Sequence, residues 1–189
     1  MNKALLTSVL WFGVVLPAMA QSAVWDDVPL AKLNEVTLPA NALKGNWKVS
    51  KGIRIDNLAD SNLAPEQRAI AEAISKNGPQ GLRSVADYTL VTTGFPLNTV
   101  TVRVFAFEKP SECEVWWRKK YEGDDGPRHY EKLDYKDIAA VRSLQEPKIA
   151  VAFGRVCLTS HQLQKGDDHI LAARYIIEQL TQKKRTLMK

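Results

Sequence analysis

The chain has 189 residues, 45% of them hydrophobic and 25% charged, which is the make-up of a globular protein and excludes a disordered one. Its formal net charge of +5 is modest, and much of it sits in the tail at Lys183, Lys184, Arg185 and Lys189, where cations complement a helix end. That is too little positive charge, too poorly spread, to point to nucleic acid.

The first twenty residues read as an export signal. Asn2 and Lys3 give a short positive start, Ala4 to Leu16 an uncharged apolar run, and Ala18-Met19-Ala20 the small residues that a signal peptidase requires. The run is too short to span a bilayer, and no later stretch approaches the roughly 20 apolar residues of a spanning helix. Cleavage following Ala20 is expected, leaving a soluble mature chain from Gln21 in the periplasm or secreted. No cysteine stands at the cleavage point, so no lipid anchor is expected.

Residues 21–46, interrupted by Pro29 and Pro39, form an extended arm expected to lie across the rest. Residues 47–189 are expected to be a single α+β domain with a basic tail. Trp47, Val49, Ile53 and Ile55 alternate as a strand or bent hairpin, with Gly52 a bulge. A helix follows from Pro65, with Ala69, Ile70, Ala73 and Ile74 on one face and a stop at Asn77-Gly78-Pro79. Val85 to Thr93 and Thr99 to Phe107 are the arms of a hairpin turning through Gly94-Phe95-Pro96-Leu97-Asn98. In its second arm Val100, Val102, Val104 and Ala106 share one face, and Thr101, Arg103, Phe105 and Phe107 the other.

Pro110 ends that strand, and Ser111 with Glu114 has the spacing of a capping box opening a helix that carries Trp116, Trp117 and Tyr121. Glu122 to Pro127 is a loop, Ile138 to Leu144 a strand and Gln145 to Lys148 a turn. Ile149 to Thr159 reads as one strand, apolar on both faces and so central. Asp167 or Asp168 caps a final helix with Ile170, Ala173, Ile177 and Leu180 at helical spacing. Adjacent strands joined by short turns predict an α+β fold: a mainly antiparallel sheet with helices packed on one face, in a ferredoxin-like (split βαβ) sandwich.

Two cysteines in an exported chain, Cys113 and Cys157, predict a disulfide. There is no C-x-x-C for redox work and no C-x-x-C-H for haem, and no cofactor is implied. His129, His161 and His169 match no zinc spacing. His161 and His169 with Asp167 or Asp168 are the one set able to meet across a loop, which supplies the alternative of a small metal-dependent hydrolase. Glu122, Asp124 and Asp125 are out of register for an EF-hand and read as solvated. Ser160 beside His161 is no dyad, because neighbours in a strand point to opposite sides.

Trp116-Trp117-Arg118-Lys119-Lys120-Tyr121 is the most unusual cluster. Neighbouring tryptophans on a helix stand about 100° apart, so one packs on the sheet while the other stays half-exposed under basic stems. A partner-binding patch of Trp116, Trp117, Lys120 and Tyr121 is the functional counterpart, and Arg103 on a nearby strand would suit an anionic ligand.

Val85-Ala86-Asp87-Tyr88 to Gly94-Phe95, followed by Val100-Thr101-Val102-Arg103-Val104-Phe105, resembles a family of exported bacterial α+β domains of unknown function, over about residues 40–180. The resemblance implies a compact α+β fold and brings no activity or site residues. Together these features predict an exported soluble accessory or binding protein, not an enzyme, whose partner is another envelope protein or a small ligand. Its oligomeric state is left open.

Overall fold

Residues 35–50, 52–124, 126–135 and 138–181 are described in this computed structural model. The expected leader, the first part of the arm and the basic tail lie outside the described residues. In chain order the elements are β1 (Trp47–Ser50), β2 (Arg54–Ile55), α1 (Pro65–Asn77), β3 (Leu82–Thr92), β4 (Thr99–Phe107), α2 (Pro110–Trp117), α3 (Gly126–His129), β5 (Tyr130–Leu133), β6 (Ala139–Ser143), β7 (Lys148–Phe153), β8 (Val156–Gln162) and α4 (Asp168–Thr181). The α+β class holds. All eight strands join one sheet in the order β1-β3-β4-β8-β7-β6-β5, with β2 also on β3.

Every pair is antiparallel. The ferredoxin-like detail is not confirmed: in a split βαβ one strand separates the two that a helix joins, whereas β4 and β5, joined through α2, have β8, β7 and β6 between them. Helices cover both faces rather than one. On the first face, Ala172, Ala173, Ile176, Ile177 and Leu180 of α4 pack on Val100, Val102, Val104, Val151 and Leu158. On the second, Cys113 and Trp117 of α2, with Tyr121, pack on Phe107, Val141, Ala150, Ala152 and Cys157. Alternation along β8 separates the two: Val156 and Leu158 belong to the first core, Cys157 to the second.

The β3–β4 hairpin follows its predicted alternation, with Leu90 opposite Val100 on the α4 face and Asp87 opposite Arg103 on the other. The Trp47–Ile55 segment is a bent edge strand, not a hairpin, since β1 and β2 both pair with β3. Gly52 lies at the bend because a Cβ there would strike the Asp87 carbonyl oxygen. The described end of the arm does lie across the domain. Val36, Leu38 and Leu43 are buried in the α4-side core, and Thr37 exchanges hydrogen bonds with Gln179 of α4 at 3.2 and 2.7 Å.

Three local expectations are corrected. The apolar run from Ile149 is two strands, reversing at Gly154-Arg155 with Phe153 opposite Val156, and Gly154 takes φ +52°. Helix α2 starts at Pro110, and its cap is Glu112, whose Oε2 accepts from the Lys109 N–H at 3.1 Å. Glu114 instead meets Arg118 one turn on, at 2.7 Å. In α1 Ala69 and Ala73 are exposed, and the inward face is Ile70, Ala71 and Ile74. The strand β5 has no counterpart in the expected order.

Candidate functional site

Helix α2 covers only part of its face of the sheet. The residues there fall in rows fixed by strand register. Under the helix lies the row Val85–Phe105–Cys157–Ala152. The next is Asp87–Arg103–Thr159–Ala150, and the one beyond is Ser50–Thr89–Thr101–His161–Lys148. Lys48, opposite Val91, belongs to the same face at the end of the sheet. Apart from buried Ala150, the two outer rows are polar, with hydroxyls at Ser50, Thr89, Thr101 and Thr159, charges at Asp87, Arg103 and Lys148, and the His161 ring.

Arg103 is held in place by a bidentate pair, its Nε and Nη2 donating to the Asp87 carboxylate at 2.7 Å each. This keeps the guanidinium firmly charged, Asp87 raising its pKa by hydrogen bond and by charge. Thr89 and Thr101 hydroxyls meet at 3.3 Å beside it. Asp87 is the one carboxylate in these rows. No ion pair among the described residues joins Lys48, Lys120 or Lys148 to an acid.

The rim of this open face is built by the chain after α2. Residues Arg118–Glu122 continue as a π-helical turn, which carries Tyr121 into the core and leaves Lys120 outside. Trp117 is 1% exposed and Tyr121 3%, their rings 4.6 Å apart. Burial drives the Tyr121 hydroxyl far above its ordinary pKa. Trp116 is half-buried against Phe105 and Phe107, with ring centroids at 5.6 and 5.8 Å. Lys120 Nζ stands 4.7 Å over the Trp116 ring, within cation–π range. Burial lowers the pKa of Lys120, and the charges of Lys148 and Arg103 lower it further. Those three cations therefore share one field.

Of the predicted patch, Trp116 and Lys120 line this face, whereas Trp117 and Tyr121 are core residues. Arg103 points to the same place, as the alternation in β4 suggests. Lys48, Lys148 and His161 were not legible as a group, because cross-strand register brings them together.

The remaining candidates separate. Cys113 and Cys157 are free thiols, so the expected disulfide is not formed. The two are nonetheless neighbours, with Sγ atoms 2.8 Å apart in the second core, where burial pushes the Cys157 thiol well up. His161 is exposed on the open face, while His169 is 3% exposed on the α4 side, where its backbone N–H and Nδ1 lie 3.3 and 3.4 Å from Gln162 Oε1. The Asp168 carboxylate accepts from Gln162 Nε2 at 3.2 Å. The histidines thus lie on opposite faces, and no group of three or more metal-ligating side chains exists among the described residues. The metal-hydrolase alternative loses its site.

No helix among the described residues is long and apolar enough to cross a membrane. No protein-family model matches the chain, and comparison with curated proteins finds no relative. Among solved structures the fold is similar to the extracellular domain of PknH from Mycobacterium tuberculosis, at 11% identity and a TM-score of 0.40, over 74% of this chain and 87% of that one.

Proposed function

We propose that the protein is an exported, non-enzymatic binding protein whose open sheet face takes an anionic partner. Export rests on the leader-like first twenty residues. The binding reading rests on one observation: Arg103, Lys120, Lys148 and His161 converge on a face whose only carboxylate among the described residues, Asp87, is already taken by Arg103. Threonine hydroxyls between them add donors, and Trp116 supplies an apolar rim. Lys120 and Lys148, which no ion pair joins to an acid among the described residues, repel each other, and an anion relieves that repulsion.

Binding of soluble poly-glutamate, followed at low and high salt, tests this. The wild-type chain should bind at low salt and release as salt screens the charges. The Lys120→Glu/Lys148→Glu double variant should bind at least about tenfold more weakly while remaining cooperatively folded, because neither side chain belongs to the core. Trp116→Ala should weaken binding, whereas Trp117→Ala should cost about 3–5 kcal/mol of stability as a core truncation. A wild-type chain indifferent to polyanions at low salt would overturn the proposal.

A further inference from the structure

Large apolar side chains that stay exposed gather at one end of the sheet. Phe95 is 96% exposed, Leu97 60%, Leu144 59% and Leu163 66%. Phe95 and Leu97 belong to the β3–β4 turn, Leu163 to the exit of β8, and Leu144 to the β6–β7 turn. These turns span the neighbouring strands β3, β4, β8, β7 and β6, so the row is about 19 Å long at the usual strand spacing.

The turns are stitched together. Asn98 Oδ1 accepts from the backbone N–H of Thr99 at 2.9 Å and of Gln164 at 3.1 Å. Gln164 Nε2 donates to the Leu97 carbonyl at 2.7 Å. Leu163 N–H reaches the Thr99 carbonyl, Thr93 N–H the Asn46 carbonyl, and Gln162 N–H the Pro147 carbonyl, at 2.9 to 3.0 Å. The apolar tips are therefore displayed on a braced platform.

Lysines border this end. Lys44 and Lys165 are exposed there, and Lys48 and Lys148 occupy the nearest rows of the open face. The carboxylates at this end are Glu146, Asp167 and Asp168, the last engaged by Gln162.

We infer that this end of the sheet docks on a bilayer with anionic headgroups, Phe95, Leu97 and Leu163 entering the interfacial layer while Lys44, Lys48, Lys148 and Lys165 meet the headgroups. The inference rests on the proposed anion-binding face and names its partner. A yielding apolar medium accepts side chains projecting from several separate turns, whereas a folded partner must supply a matched hollow for each. Apolar tips flanked by lysines are also the combination that binds anionic interfaces.

Co-sedimentation of the chain recovered after export tests this, with vesicles of phosphatidylcholine alone and of phosphatidylcholine mixed with phosphatidylglycerol. The wild type should bind the mixed vesicles and not the zwitterionic ones. Phe95→Ser/Leu97→Ser should lower vesicle partitioning about tenfold through loss of apolar insertion, with poly-glutamate binding intact, and Leu163→Ser should act in the same direction without touching the hairpin. Binding of poly-glutamate but not of vesicles, or vesicle binding unchanged in both variants, overturns the membrane inference and leaves the anion-binding face standing. Binding of neither overturns both.

Discussion

His169 shows how one buried ring ties stability to pH. The amide oxygen of Gln162 can only accept, so His169 Nδ1 carries the proton in that contact, and buried Nε2 has no hydrogen-bond partner among the described residues. Burial lowers its pKa, against the opposing influence of Asp167, the Gly166 backbone and Asp168, and with a smaller push in the same direction from His161. The unfolded chain therefore takes up a proton near pH 6.5 while the folded chain still excludes it. The stability tied to neutral His169 is fully present above about pH 6.5 and is lost as pH falls toward the lower folded value. Melting temperature against pH should show this step, and His169→Gln should flatten it. At this scale the sequence was partly legible. The 100° between Trp116 and Trp117 foretold that one would be buried, but only the packing of Phe107 and Cys157 decides that it is Trp117. Nothing in the chain marks Phe95 or Leu163 as exposed, because an apolar residue next to a strand reads the same whether it faces core or solvent.

Among the elements, the β3–β4 hairpin was readable because its valines and threonines alternate and a Gly-Phe-Pro-Leu-Asn segment interrupts them. The β7–β8 hairpin was hidden for the opposite reason. Both of its strands are central and covered on both faces, so Ile149 to Leu158 shows no polar alternation, and its reversal takes only Gly154 and Arg155. Gly154 at φ +52° occupies the left-handed region, where a β-branched side chain is strained. Gly154→Val should cost about 1–2 kcal/mol, measurable by urea unfolding, whereas Arg155→Lys should cost almost nothing. The capping box at Ser111 and Glu114 failed because Pro110 fits the first helical position, which moves the cap two residues back to Lys109 and gives the role to Glu112.

The molecule as a whole is two antiparallel groups, β1–β4 and β5–β8, joined along the β4–β8 ladder. Cys113 and Cys157 face each other across that arrangement, 44 residues apart in sequence. A disulfide-bearing oxidant would take two electrons and two protons from the pair and become reduced to two thiols, leaving a Cys113–Cys157 bond. The closed loop should then raise stability by about 4 kcal/mol through the unfolded chain's lost entropy. Comparing unfolding of oxidised and reduced protein measures this, and Cys113→Ser should abolish the difference. The even cysteine count predicted a bond between the two, and the structure sets the thiols side by side without one; the row Lys48–His161–Lys148 was not legible, since it exists only once register is set.

The helices cross the seam as well. Helix α2 comes from the first group yet roofs β7 and β8, and α4 comes from the second yet lies on β4. Neither half owns its complete cover. A cut in the short stretch around Gly123 would leave two fragments interlocked, each folded by the other, and either fragment alone would lose the part of its cover that the other's helix supplies.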